Sequence, residues 1–258
     1  SINKAVDQCL PDYVFHLAAQ SYVKASLVYP SKTLHTNIIG TQHLMDALLN
    51  YAPEAIVHNC SSSEVYGRVN PDYGLIDEKC PFAPASPYSI SKIGQDMVGR
   101  YYAEAHGLRI MTTRMFTHTG PRRGEVFVVA AFAKQIARIE KGLQEPVLFV
   151  GNLQSVRTFA DVRDTVRAYW LLTQHCSPGE VYNIGGEVTM TVGEMLKKLL
   201  SFSPLKDAIR VQVDPKLLRP SDVTLQIPSC EKFKKVTGWK PEIPFEQTLQ
   251  DTLAYWRN

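Results

Sequence analysis

A tyrosine and a lysine four residues apart could together deprotonate a hydroxyl group. They are Tyr88 and Lys92, in the segment 86–92, which reads SPYSISK. Pro87 favours a helix start because its φ is already helical, and residues at i and i+4 project from one face of a helix. An ammonium beside a phenol favours the phenolate, which lowers the pKa of the phenol toward that of a general base. The same spacing is common on solvated helices, so the neighbouring residues must decide its meaning.

A polar run at the end of an apolar, strand-like segment supplies such neighbours. Residues 61–67 read SSSEVYG and follow the apolar residues 55–57. These neighbours favour a catalytic role for Tyr88 and Lys92 over a solvated surface pair. The combination indicates redox chemistry on a carbohydrate. Two plainer alternatives stay open, since Ser62 could cap the strand end and Glu64 could pair with a nearby arginine.

Ser62 and Glu64 can act with Tyr88 and Lys92 only in a fold that brings the end of a strand close to the start of a helix. Apolar segments at 13–18, 55–60 and 109–114 alternate with helical patterns at 33–49 and 88–106. The apolar segments do not alternate with polar residues, which is typical of parallel strands covered on both faces. We therefore expect an α/β fold with a doubly wound, Rossmann-type parallel sheet.

The later part of the chain predicts a smaller, mixed α/β lobe. Helical patterns at 127–141, 162–173 and 244–256 are separated by strand-like segments at 147–150, 181–184 and 209–213. Thr191 and Glu194 form the capping box of a further helix. We expect residues 1–118, with about 150–186, to form an incomplete Rossmann-type nucleotide-binding domain, interleaved with a smaller second domain at 119–149 and 187–258.

A glycine-rich turn that would normally open a doubly wound sheet is missing from this sequence. None of the 15 glycines forms a G-x-G-x-x-G motif near the start, and the first central strand begins almost at once, near Tyr13. By comparison with the usual order, about 60 residues are expected to precede this chain. Without them cofactor binding would be weakened, because the pyrophosphate binds at the helix that they would supply.

Composition excludes several classes of protein. A formal net charge of +3 with scattered arginines argues against a nucleic-acid partner. The five cysteines form no C-x-x-C pair and show no metal-ligand spacing with the seven histidines, so we expect reduced thiols, no metal site and a cytoplasmic location. No window approaches 18 uninterrupted apolar residues, which argues against a membrane span.

Several motifs follow one another in the order found in a known family. They are His16-Leu17-Ala18-Ala19, Asn37-x-x-Gly40-Thr41, Ser61-Ser62-Ser63-Glu64-Val65-Tyr66-Gly67, Ser86-Pro87-Tyr88-x-x-x-Lys92, Gly120-Pro121-Arg122-Arg123-Gly124-Glu125, Leu218-Arg219-Pro220 and Gly238-Trp239-Lys240-Pro241. Over nearly its whole length the chain resembles the extended short-chain dehydrogenase/reductase family of nucleotide-sugar enzymes. Within that family it is most similar to the GDP-mannose 4,6-dehydratases and the GDP-4-keto-6-deoxy-mannose reductases.

The resemblance implies catalytic roles for four residues. Tyr88 would take the proton from the sugar C4 hydroxyl as hydride leaves C4, Lys92 would hold the nicotinamide ribose and keep Tyr88 acidic, and Ser62 would bind the same oxygen. Glu64 stands where dehydratases keep the acid-base residue that removes the C5 proton and protonates the departing C6 hydroxyl. The hydride then returns to C6, so the cofactor is recycled.

The resemblance also implies binding residues and an assembly. The cofactor would be NADP or NAD, with NADP favoured, bound by Leu17, Ala18, Ala19, Asn37, Ser61, Tyr88, Lys92, His118 and Arg123. The GDP-sugar would be bound by Thr117, Arg157, Arg219 and Asp222. The Arg122-Arg123 loop resembles one that crosses a subunit interface in dehydratases, which implies a homodimer or homotetramer.

Three classes of function remain open at this point, namely a lyase, a reductase or epimerase, and a non-enzymatic protein. Glu64 favours a lyase, a nucleotide-sugar 4,6-dehydratase acting on a GDP-sugar. Thr117 replaces the asparagine usual in the family, and residues 134–171 are closer to the reductase branch, which makes a GDP-4-keto-6-deoxy-mannose 4-reductase the first alternative and a nucleotide-sugar epimerase the next. The missing glycine-rich turn motivates the third, a non-enzymatic paralogue that binds partners or nucleotide sugar without turnover.

Overall fold

The computed structural model describes residues 1–218, 223 and 225–258, so the predicted substrate contacts Arg219 and Asp222 lie outside the described residues. Its helices are α1 (Ile2–Cys9), α2 (Val23–Val28), α3 (Pro30–Leu34), α4 (Gly40–Tyr51), α5 (Pro87–His106), α6 (Val128–Glu140), α7 (Val162–His175), α8 (Val192–Ser201), α9 (Glu231–Thr237) and α10 (Phe245–Arg257). Its strands are β1 (Tyr13–His16), β2 (Ile56–Cys60), β3 (Arg109–Met115), β4 (His118–Thr119), β5 (Val147–Val150), β6 (Val156–Asp161), β7 (Val181–Ile184), β8 (Val188–Thr191), β9 (Arg210–Val213) and β10 (Leu225–Gln226). Within the described ranges no helix is both long and apolar enough to cross a membrane.

Contacts divide the chain into two compact units, each assembled from three segments. The first consists of Ser1–Phe116, Val166–Ile184 and Pro228–Lys240, and the second of Thr117–Thr165, Gly185–Ile227 and Pro241–Asn258. Helix α7 begins in the second unit and ends in the first. The two units are therefore interleaved along the chain.

The first unit is built on a four-stranded sheet in the order β1-β2-β3-β7. All three neighbouring pairs are parallel, with Tyr13 opposite Ile56, Ile56 opposite Arg109 and Thr112 opposite Val181. Because the strands are parallel, their carboxyl ends lie at one edge of the sheet, where α/β proteins bind their ligands. The expected α/β fold with a parallel sheet is confirmed.

Helices cover both faces of this sheet, which explains why its strands are apolar without alternation. Ile110 packs in one cluster with side chains of α1, α4 and α5, whereas the next residue, Met111, packs in another with side chains of α7 and α9. Trp239 is fully buried in the second of these clusters. Successive side chains of a strand point to opposite faces, so both faces need apolar residues.

The second unit has its own sheets and its own core. One sheet runs β10-β6-β4 with β8 antiparallel to β6, and β5 pairs with β9 in parallel. Its core is formed mainly by apolar side chains of α6, α8 and α10, with Phe159 stacked on Phe245 at 4.9 Å between ring centroids. The predicted capping box is present, since Thr191 accepts from the backbone of Glu194 and the Glu194 carboxylate accepts from the backbone of Thr191.

Two segments lie elsewhere than the sequence led us to expect. Residues 150–165 belong to the second unit because β6 pairs with β4, β8 and β10, and 228–240 belong to the first because α9 packs on β7. The helix expected at 33–49 is also interrupted, since His35–Ile39 forms a π-helical turn between α3 and α4. Such turns insert an extra residue per turn and occur frequently at functional sites.

Candidate active site

Helix α5 begins with the predicted Tyr-Lys pair on its buried face. Ser86 caps the helix by accepting from the backbone N–H of Ser89 at 3.1 Å, and Pro87 occupies the first turn. Tyr88 is 8% exposed and Lys92 4% exposed. A solvated i,i+4 pair would lie on the surface, so the plain surface alternative does not apply to these two residues.

The ammonium of Lys92 is bound by neutral oxygen atoms. It donates to the carbonyl oxygen of Cys60 and to Oε1 of Gln95, each at 2.7 Å. No carboxylate is within salt-bridge distance of it among the residues that the structure describes. Burial lowers the pKa of Lys92, and the charge of the Cys60 thiolate acts in the opposite direction. Lys92 is therefore an enclosed cation whose charge no carboxylate neutralises.

The polar run after β2 lies against α5. The backbone N–H of Ser61 donates to the Thr113 carbonyl of β3 at 2.8 Å, and the Ser61 hydroxyl donates to the Lys92 carbonyl at 3.2 Å. Ser62, 9% exposed, caps a short 3₁₀ turn by accepting from the Glu64 N–H at 3.2 Å. The capping role leaves the hydroxyl proton of Ser62 available to donate, so cap and substrate contact are compatible. Glu64 is half-buried in the same turn.

Two buried histidines near Lys92 are neutral. His16, at the end of β1, bonds Thr41 through Nε2 at 2.8 Å, and burial together with the charge of Lys92 lowers its pKa to about 4. Burial, with the charges of His16 and Lys92, lowers the pKa of His58 to about 3. Both imidazoles are uncharged at neutral pH, so Lys92 supplies the positive charge of this cluster.

The predicted cofactor residues of the first unit divide into exposed and enclosed ones. Leu17 and Ala18 are exposed and Ala19 half-buried in the loop that follows β1. Asn37, in the π-helical turn, is fully buried and its amide donates to the Gln20 carbonyl at 3.0 Å and to the Ser91 hydroxyl at 2.8 Å. Asn37 thus ties the loop to α5, and its predicted part in cofactor binding would act through the position of that loop.

Sequence reasoning missed a buried ion pair that supports the site. Arg114, at the end of β3, donates from Nε to Asp96 of α5 at 2.9 Å, and both side chains are at most 3% exposed. Its Nη1 donates to the Tyr66 hydroxyl at 3.1 Å and to the Glu78 carbonyl at 3.0 Å, and the Tyr66 hydroxyl donates to Asn183 at 2.7 Å. The network fixes the segment after Glu64 to α5 and β3. A signal was present, since a charged residue inside each of two apolar patterns is unusual unless the two pair.

The remaining predicted residues lie in the second unit. The Thr117 carbonyl accepts from the Ala160 N–H at 3.0 Å, and His118 pairs with Ala160 in the sheet. The Arg123 guanidinium lies over the Phe127 ring, 3.6 Å from its centroid. Arg157 donates to the carbonyl oxygens of Val156, at 2.9 Å, and of Val223. The roles of Thr117, His118, Arg123 and Arg157 in ligand binding stay predictions.

Within the described part of the chain, no group of histidine, cysteine, aspartate and glutamate side chains could hold a metal ion. The chemistry that the arrangement supports is proton transfer at the carboxyl ends of β1 and β2. A buried phenol and an ammonium lie one helical turn apart, and a serine hydroxyl and a carboxylate lie on the adjoining turn. Such a set can move two protons in succession at neighbouring atoms of one ligand.

Comparisons with known proteins agree with this chemistry. A family model described as GDP-mannose 4,6 dehydratase matches residues 1–252. The GDP-6-deoxy-D-mannose reductase of Pseudomonas aeruginosa is 33% identical over 249 residues, which cover 96% of this chain and 81% of that protein. GDP-mannose 4,6 dehydratase 2 of Arabidopsis thaliana is 34% identical over 254 residues, which cover 97% of this chain and 67% of that protein. A solved structure of RMD from Pseudomonas aeruginosa complexed with NADPH superposes with a TM-score of 0.88 at 33% identity, covering 96% of this chain and 82% of that one.

Proposed function

The chain belongs to the GDP-mannose 4,6-dehydratase family, and from that membership we propose that it converts a GDP-hexose of the mannose type into its 4-keto-6-deoxy derivative. The resemblance to the extended short-chain dehydrogenase/reductases and the Rossmann-type fold that it implied are confirmed. One observation carries the proposal of a lyase. Glu64 lies two residues beyond Ser62, on the turn that packs against the buried Tyr88 and Lys92 of α5.

The first unit fits a nicotinamide cofactor. Its sheet ends in an exposed loop at Leu17 and Ala18, and Lys92 presents an ammonium that no carboxylate among the described residues neutralises. We assign the cofactor to this unit, with NADP favoured over NAD because the related structure holds NADPH, and the sugar nucleotide to the second unit. When bound, the nicotinamide takes a hydride from the sugar and later returns it.

The first proton is assigned to Tyr88. Its phenolate, stabilised by the Lys92 ammonium one turn along α5, accepts the proton of the sugar C4 hydroxyl while Ser62 donates a hydrogen bond to the same oxygen. The position of these groups fits that role, since both Tyr88 and Lys92 are buried and the Ser61 hydroxyl fixes the strand end to the Lys92 carbonyl. The product of this step is a C4 ketone.

The second proton is assigned to Glu64. A ketone at C4 acidifies the hydrogen at C5, so the Glu64 carboxylate removes that proton and then gives it to the C6 hydroxyl, which leaves as water. The 3₁₀ turn holds the backbone N–H of Glu64 on the Ser62 hydroxyl, which supports the assignment of the two side chains to neighbouring atoms of one sugar. The double bond that forms between C5 and C6 is the acceptor for the returning hydride.

A reductase is the second candidate, because a relative 33% identical across 96% of this chain is a GDP-6-deoxy-D-mannose reductase. That reaction needs Tyr88 as an acid and has no step for Glu64. A nucleotide-sugar epimerase likewise needs no elimination. The three functions therefore differ in whether water is lost and whether the cofactor is consumed.

Incubation of the protein with GDP-mannose and a catalytic amount of NADP distinguishes these functions. A dehydratase is expected to accumulate a 4-keto-6-deoxy product that is lighter than GDP-mannose by the mass of one water. The amounts of oxidised and reduced cofactor should not change over the reaction. Mass spectrometry of the product and absorbance of the reduced nicotinamide give the two readouts. Turnover only with a 4-keto sugar and stoichiometric NADPH contradicts the proposal and supports the reductase.

An exposed apolar stripe on α5 supports the proposal of a homodimer. Ile90, Met97 and Tyr101 are 49%, 47% and 58% exposed and are spaced seven and four residues apart, which places them along one side of the helix. A second copy of α5 packed on this stripe would remove these side chains from water. The five unpaired cysteines fit the cytoplasm as the location of such an assembly.

Met97→Glu is expected to shift the protein from dimer to monomer at micromolar concentration, because it places a charge in the centre of the stripe. Sedimentation velocity measures the change. The matched control is Val166→Glu, which makes the same change of charge at an exposed apolar position of α7. Wild-type protein that sediments as a monomer contradicts the proposal.

A further inference from the structure

The amide of Gln95 is held in one orientation by a chain of hydrogen bonds. Asn59 donates from Nδ2 to the Gln95 carbonyl at 3.1 Å and to the Thr112 hydroxyl at 3.3 Å, so its Oδ1 faces the other way and accepts from Nε2 of Gln95 at 3.0 Å. A backbone carbonyl only accepts and an ammonium only donates. The two ends of this series of hydrogen bonds therefore fix which atom of each amide is oxygen and which is nitrogen. Oε1 of Gln95 therefore points at the ammonium of Lys92, at 2.7 Å.

Close packing makes this arrangement rigid. Gln95 and Asn59 are both fully buried. A Cβ atom on Gly99, one turn further along α5, would lie 2.4 Å from Nδ2 of Asn59, so only glycine lets Asn59 approach the helix so closely. Neither amide can turn without leaving a buried polar atom unpaired, which is unfavourable in a closely packed interior.

The arrangement determines what Lys92 can do. An ammonium has three N–H donors, and the Cys60 carbonyl and the Gln95 amide take two of them. One donor remains for Tyr88 or for the ligand that Tyr88 serves. A carboxylate stands one residue beyond Gln95, at Asp96, but it faces away and binds Arg114.

We propose that Gln95, oriented by Asn59, is a positioning residue that keeps the Lys92 ammonium charged, unpaired and limited to one free N–H donor. This inference deepens the proposed function, because it depends on Tyr88 acting with Lys92. A neutral acceptor holds the ammonium without cancelling its positive charge. A carboxylate at the same place would form an ion pair with Lys92, and Tyr88 would then lie beside a pair with no net charge.

The titratable groups around Lys92 set the conditions of the test. His16 of β1 and His58 of β2 have pKa values lowered to about 4 and about 3, so they stay neutral when a phenol titrates. Cys60 of β2 accepts from Lys92 through its backbone carbonyl, while its thiol lies 3.7 Å from the Tyr169 hydroxyl and still acts electrostatically on Lys92. A Cys60→Ala background removes that thiol and keeps its backbone carbonyl.

The experiment measures the titration of Tyr88 in the substrate-free protein. Tyrosine labelled with ¹³C at Cζ gives one signal per residue by NMR, and the signal missing in Tyr88→Phe is that of Tyr88. Gln95→Glu is expected to raise the titration midpoint of Tyr88 by about one pH unit or more, because the new carboxylate pairs with Lys92. Gln174→Glu, the same change at an exposed position of α7, is expected to leave the midpoint unchanged.

A second variant keeps the test decisive if the charged one fails to fold. Gln95→Met retains the side-chain length and removes the acceptor, so the midpoint of Lys92, followed by ¹³Cε-labelled lysine, is expected to fall. A Tyr88 midpoint unmoved in Gln95→Glu, or a Lys92 midpoint unmoved in Gln95→Met, overturns the role given to Gln95. No substrate is used, so absence of turnover with GDP-mannose would count against the proposed function alone.

Discussion

Glu64→Gln is expected to retain oxidation at C4 and to lose the elimination of water by a factor of about 10²–10⁴, the range typical of a lost general acid-base group. The variant keeps the shape of the side chain and removes its ability to take the C5 proton. The cap made by Ser62 does not depend on the Glu64 carboxylate, since it uses the Glu64 backbone N–H. Oxidation at C4 should therefore continue in this variant while the elimination of water is lost.

Single-turnover kinetics with GDP-mannose and bound NADP measures both steps. The wild type should show reduced nicotinamide only transiently, whereas Glu64→Gln should accumulate it together with an unreduced 4-keto sugar. Glu180→Gln is the matched control, because Glu180 is half-exposed and bonds Lys232 rather than any residue of the site. An equal loss of both steps in Glu64→Gln would contradict the role assigned to this carboxylate.

Asp96→Ala is expected to destabilise the protein by about 3–5 kcal/mol, the usual cost of breaking a buried ion pair from one side. Arg114 would remain buried without its carboxylate, and its other contacts to Tyr66 and the Glu78 carbonyl are to neutral oxygens. Those neutral contacts cannot compensate a full charge in an apolar setting. The loss should appear as a lower midpoint of urea unfolding with little change in its slope.

The exposed ion pair between Lys232 and Glu180 is the control for this prediction. Its partners are 37% and 51% exposed, so Glu180→Ala is expected to cost at most about 1 kcal/mol. A similar loss of unfolding free energy in the two variants would contradict the prediction, because burial would then not increase the cost of breaking the Arg114–Asp96 pair. Activity of Asp96→Ala at low temperature then reports how far the network positions Tyr66 and the turn that carries Glu64.

The site could be predicted from the sequence as far as its chemistry is local. Tyr88 and Lys92 are joined by one helical turn, and Ser62 and Glu64 by one 3₁₀ turn, so spacing alone relates them. The contacts that hold them are of longer range. Asn59 and Gln95 are separated by 36 residues and meet only because α5 packs on β2.

The fold could be predicted where a segment has a single plausible partner. The apolar run around Ile110 needs cover on both faces and so becomes a central strand. Residues 156–161 include Arg157 and Asp161 and lack such an apolar run, so no strand was predicted there and this stretch was assigned to the first domain, whereas β6 pairs within the second unit. Pairing is decided by tertiary contacts that strand propensity does not encode.

The interleaving of the two units has a consequence for how such a protein can diverge. The chain passes from one unit to the other after Phe116, Thr165, Ile184, Ile227 and Lys240. A single recombination event at any one of these points leaves at least one unit assembled from two parent sequences. Neither unit can therefore be transferred between genes as one block by a single event, so the two units are inherited together unless several exchanges coincide.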